Sequence, residues 1–169
     1  VLESEDVWGR SLSTVYSSDG MNQVGLFFPA TLSEVALVVP NQKQIAKTDN
    51  CTITGNYSSD ARSGITAKAS TTISCSVTSL KPETYFLSEY RYQKNGKWLV
   101  KRELLSVPVF NLSLSGDEKL NYLRIYPGDA EAKTYIYDLY SNLIQLISED
   151  NTSTYFEYDS FGKLIQSRD

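Results

Sequence analysis

Tyr135-Ile136-Tyr137-Asp138-Leu139-Tyr140-Ser141-Asn142-Leu143-Ile144-Gln145 returns 21 residues later as Phe156-Glu157-Tyr158-Asp159-Ser160-Phe161-Gly162-Lys163-Leu164-Ile165-Gln166. Tyr, Asp, Leu, Ile and Gln are identical at their positions, and two further pairs exchange Tyr for Phe. Gapless self-similarity at such a period marks stacked supersecondary units. The unit reads as a β-hairpin. Tyr135 and Tyr137 share one face of a strand, as do Phe156 and Tyr158. Asp138 and Asp159 close their strands, where a carboxylate can accept the amides of the turn that follows. Gly162 suits a left-handed turn position. In the first copy Ser141 stands there, so either Asn142 takes that position or the turn is reshaped. Leu143 and Leu164 open the return strands.

Upstream, the pattern stays that of strands. Cys51–Thr54, Ile65–Ala69 and Thr72–Val77 alternate, with turn chemistry at Gly55, Ser58-Ser59-Asp60 and Ser63-Gly64. Asn95-Gly96 is a strong hairpin signal, because a type I′ turn needs positive φ at both central residues. It joins Tyr85–Lys94 to Lys97–Val107. Thr31-Leu32-Ser33-Glu34 matches a helix capping box, but Val35–Val39 is β-branched and runs into Pro40, which favours a strand. Val109–Ser113 and Lys119–Tyr126 alternate around Ser115-Gly116-Asp117-Glu118. The organisation expected is a polar leader over 1–22 with one short strand, Leu12–Tyr16, a β-sandwich over 23–108, and hairpins over 109–169.

Composition agrees and excludes much chemistry. The 169 residues are 41% apolar, with 12 Tyr, 6 Phe and 2 Trp, a composition for pleated, half-buried surface. A net charge of −4 argues against nucleic acid as a partner. There is no histidine, so histidine-based triads and imidazole metal sites are ruled out. Two cysteines cannot build a four-cysteine zinc site. No cofactor is expected, and no run is long and apolar enough for a transmembrane segment. The N-terminus lacks the features of a signal peptide, and the chain reads as a piece of something longer.

Two resemblances follow. Leu80-x-Pro82-x-Thr84, the aromatic alternation after it and Asn95-Gly96-Lys97 resemble a fibronectin type III or immunoglobulin-like domain, with Phe86 where that family's corner tyrosine would stand. The second repeat copy, Tyr158-Asp159-Ser160-Phe161-Gly162-Lys163-Leu164, is similar to the YD-repeat, or rearrangement-hotspot, family. Together they imply an all-β fold: an immunoglobulin-like sandwich followed by antiparallel hairpins of YD-repeat type. The YD-repeat likeness implies a large secreted or cell-surface protein whose repeats form spiralling sheets. It favours a disulfide between Cys51 and Cys75 over two unpaired thiols.

The candidate sites are weighed against plainer roles. Asp138 and Asp159 resemble a carboxylate pair for calcium or acid–base work, but their equivalent places in the repeat favour turn capping, with Ser141, Asn142 and Gly162. Trp98, Tyr126, Tyr140 and Phe161 are candidates for stacking a ligand, against packing between neighbouring units. Asn50, Asn56, Asn111 and Asn151 begin glycosylation sequons, and unmodified surface asparagine is favoured. Lys81, Arg91, Lys94, Lys97, Lys101 and Arg102 suit a charged edge strand. No catalytic or metal-binding residues are assigned. The function expected is a structural or adhesive module, not an enzyme, of a secreted or cell-surface protein. Its partners would be further repeats or another chain by strand pairing. The alternatives are a carbohydrate-binding module for glycans and a fragment of a toxin-encapsulating repeat shell.

Overall fold

The computed structural model describes every residue except Trp8, Gln42, Lys43, Leu80, Pro82 and Ser106. The strands are β1 (Leu2–Glu5), β2 (Ser11–Tyr16), β3 (Gln23–Phe28), β4 (Ala36–Asn41), β5 (Gln44–Lys47), β6 (Cys51–Asp60), β7 (Gly64–Ser76) and β8 (Phe86–Lys94). They continue as β9 (Lys97–Leu105), β10 (Val109–Leu114), β11 (Lys119–Pro127), β12 (Glu131–Tyr137), β13 (Leu143–Ile147), β14 (Ser153–Tyr158) and β15 (Leu164–Arg168). A single 3-10 turn, Leu32–Glu34, is the helical element among the described residues. Its start is held by the Thr31 amide, which donates to Glu34 Oε2 at 2.9 Å. The β-branched run after it forms β4.

The strands form two antiparallel sheets, an all-β sandwich. One has the order β1-β2-β3-β12-β13-β14-β15; the other has β10-β7-β11-β4-β5, with β6 on β7 and β9-β8 on β11. The first sheet is one meander interrupted in sequence: β3 leaves it, β4 to β11 build the other sheet, and β12 returns to pair with β3. The sheets therefore do not divide at 22/23 or 108/109. The polar stretch 1–22 supplies two strands to the meander, since β1 pairs with β2 and β2 with β3. The turn anticipated at Ser58-Ser59-Asp60 lies three residues later. β6 runs through to Asp60, whose Oδ1 accepts the amides of Arg62 and Ser63. Leu80 and Pro82 of the sandwich signature lie outside the described residues. Phe86 packs into the core, and Tyr85 is half exposed.

Two hydrophobic layers lie on either face of β4 and β11. Leu37 and Val39 of β4 and Tyr122 and Tyr126 of β11 meet Val15, Val24, Phe27, Ala132, Ile136 and Ile147 of the meander. Ala36 and Val38, with Leu120, Leu123 and Ile125, face Ile65, Ile73, Tyr90 and Phe110, enclosed by the curl of the second sheet. Strands covered on both faces read as continuous apolar runs, and all six residues of β4 are buried.

One polar cluster fixes the sheets to each other. Arg102, Glu89 and Arg124 stand side by side across β9, β8 and β11. Arg124 and Glu89 are wholly buried, and Glu89 Oε2 accepts Arg124 Nε and pairs with Nη2, both at 2.7 Å. Arg102 Nε lies 2.9 Å from the other oxygen, an ion pair without hydrogen-bond alignment. Arg124 also donates across the layer to the carbonyls of Ala132 and Ser148, each at 2.8 Å.

Candidate functional site

The two repeat copies fold into hairpins with superimposable hydrogen bonding. In the first turn Asp138 Oδ1 accepts the amides of Tyr140 at 2.9 Å and Asn142 at 3.0 Å. In the second, Asp159 Oδ1 accepts those of Phe161 and Lys163, both at 2.9 Å. The residue two before the return strand is left-handed in both, with φ 62° at Ser141 and 78° at Gly162. Ser141 itself adopts that conformation, and Asn142 does not. Asn142 instead donates its side-chain amide to Asp138 Oδ2 at 3.1 Å.

The same turn occurs twice more in the meander without the flanking repeat. Asp6 Oδ1 accepts the Arg10 amide at 2.9 Å, and Gly9 has φ 70°. The spacing Asp6-x-x-Gly9-Arg10 is that of Asp159-x-x-Gly162-Lys163, with Trp8 at the position of Phe161. Between β13 and β14, Ser148 replaces the aspartate and Asn151, φ 68°, the glycine. The Ser148 amide donates to Thr152 O at 3.0 Å, matching Asp138 to Asn142. There the Ser148 and Thr152 hydroxyls and the Thr152 amide donate to Asp150, holding its carboxyl down at about 2.

The aromatic candidates separate. Tyr126 presents no face to a ligand: it is 2% exposed, packed against Phe27 and under the Arg124 guanidinium. Burial, then the neighbouring Glu89 carboxylate, pushes its phenol well above the ordinary range. Trp98 is half-buried and covered by the Arg91 guanidinium, 5.0 Å from its ring. Tyr140 and Phe161, at 84% and 94% exposure, stand in solvent.

Cys51 and Cys75 are joined by a disulfide between directly paired positions of β6 and β7. Among the described residues no cluster of three or more metal-ligating side chains occurs, and no helix is long and apolar enough to cross a membrane. Lys97, Lys101 and Arg102 lie on β9, which pairs only with β8. β15 is the other prominent edge. All five of its residues are exposed, including Leu164 at 49% and Ile165 at 63%, and its inner neighbour β14 is half-buried. The strand is reached only through the tight Asp159 turn, so its apolar residues are held extended and open to pairing. No family model matches the chain, and comparison with curated proteins gave no match.

Proposed function

We propose that this chain is a non-catalytic structural or adhesive module of a larger exported protein, related to the YD-repeat family, that joins its partners by strand pairing. The observation that carries this reading is the β15 edge. An exposed edge bearing apolar side chains is a ready template for another strand. Its approach through a turn used four times in the same meander supports a sheet built by adding hairpins. A disulfide suits the oxidising surroundings of exported proteins. The test is to append a second copy of residues 148–168 after Asp169. The added hairpin is expected to pair with β15, raise the thermal midpoint and slow hydrogen exchange of the outward amides of Leu164 to Arg168. An appended segment that stays disordered and leaves β15 exchange unchanged would rule the reading out.

A further inference from the structure

We propose that the Tyr140 and Phe161 rings form a two-ring platform for a single β-linked glycan chain. This goes beyond strand pairing and uses the end of the sheet, not its edge. The rings are equivalent positions of the repeat, held alike: each backbone amide is bound at 2.9 Å by the aspartate two residues before it, and each is followed by a left-handed residue. The meander order places both turns at the same end of the sheet, with two strand spacings between hairpin centres, about 10 Å. At 84% and 94% exposure, neither ring meets another aromatic or a cation among the described residues.

Aromatic faces stack on the C–H face of a pyranose ring, and a β-linked chain shows the same face again at every second sugar, a repeat comparable with the spacing of the two hairpin centres. Sheet twist turns successive hairpins by about 40–50°. That suits one flexible chain better than a flat crystalline surface. The charge around the platform decides against a lipid surface. Asp19, Asp138 and Asp159 lie in the three turns at this end, and Lys163 is the cation within those turns. Hydroxyl-rich ligands can donate to carboxylates, whereas pushing the rings into a bilayer would carry those carboxylates into it.

The experiment uses the full chain with cellohexaose, chitohexaose and a soluble mixed-linkage β-glucan, read by calorimetry and affinity electrophoresis. Phosphatidylcholine vesicles form the comparison arm. Binding to at least one glycan is expected, weakened about tenfold by Tyr140→Ala or Phe161→Ala and retained in Phe161→Trp. Both alanine variants should keep the parent thermal midpoint, because the rings make no core contact. No binding to any glycan, binding indifferent to both alanine changes, or sedimentation with vesicles in place of glycan binding would each overturn the proposal. None of these outcomes bears on hairpin addition at β15.

Discussion

Replacing Arg124 by methionine keeps most of the side-chain volume and removes the centre of a buried polar cluster that links the two sheets. The Glu89 carboxylate would remain wholly buried, with one ion-pair partner, Arg102, which is itself 54% exposed. The Ala132 carbonyl would lose the Arg124 donor, and the Ser148 carbonyl would keep only the Asn151 amide at 3.2 Å. Breaking a buried pair from one side costs about 3–5 kcal/mol, because the surviving charge is stranded. With a urea slope of about 2 kcal/mol/M, the unfolding midpoint should fall by roughly 2 M. Arg124→Met combined with Glu89→Leu removes both charges, leaving about 1 kcal/mol for each lost carbonyl hydrogen bond. The double variant should therefore be more stable than Arg124→Met alone. Hydrogen exchange should speed up first in the Ser148–Thr152 turn, which Arg124 anchors. A loss below about 1 kcal/mol for the single change, or a double variant less stable than the single, would refute the account.

Converting both Cys51 and Cys75 to alanine should cost about 3.5 kcal/mol, the chain entropy of a loop of 24 residues' separation; calorimetry showing no loss would contradict this. Ser141→Gly should raise stability by up to about 1 kcal/mol, since serine at φ 62° carries left-handed strain that glycine avoids; a destabilised variant would show the turn to depend on the serine. Gly55→Ala should cost more than about 2 kcal/mol, because φ is 111° and a new Cβ would lie 2.2 Å from the Ser70 carbonyl oxygen; wild-type unfolding would dismiss it. Asp19 is held below the usual carboxylate range by the Ser17 hydroxyl and the Met21 amide, and Asp150 near 2 by Ser148 and Thr152. Folded values below unfolded ones mean stability that is present above about pH 4 and lost as pH falls toward 2. Thermal midpoints should drop over that window, less so in Asp150→Asn, and a midpoint that rises on acidification would reverse the sign.

The parts of this molecule that were legible in its sequence are local. Asn95-Gly96 carries its own turn geometry, with φ 50° and 74°, and the repeated Tyr-Asp units show their period directly. What stayed hidden is non-local or disguised. The Asp6 turn has the right spacing but is preceded by Ser4-Glu5 in place of an aromatic strand, so the repeat comparison passes over it. The Ser148 turn keeps the backbone bonds and a left-handed Asn151, but the Thr152 amide is accepted by Asp150 in place of the residue that opens the turn. The pairing of β3 with β12 leaves no trace in alternation, which says which face is buried but not which strand lies alongside. Arg124 and Glu89 occupy positions where charge ordinarily means solvent. Their burial depends on meeting each other across strands 35 residues apart. Tyr126 stays a stacking candidate in the sequence because the strand it belongs to gives no sign there of being covered on both faces.

The interrupted meander has a consequence for how the chain reaches this state. Gly25 pairs with Thr134 and Phe28 with Glu131, contacts separated by about 100 residues of chain. Bringing such distant segments together costs loop-closure entropy that no local hairpin recovers, and topologies rich in such pairings fold slowly. The second sheet lies within that span, and its formation draws Ala30 and Glu131 toward each other. We expect the outer hairpins and the second sheet to form first, and the β3–β12 seam to close last, as a zip between two preformed halves. Pulse-labelled amides of Leu26 and Thr134 should therefore gain protection after those of Leu123 and Ile125, and the opposite order would mean that the ends of the chain find each other before the middle does.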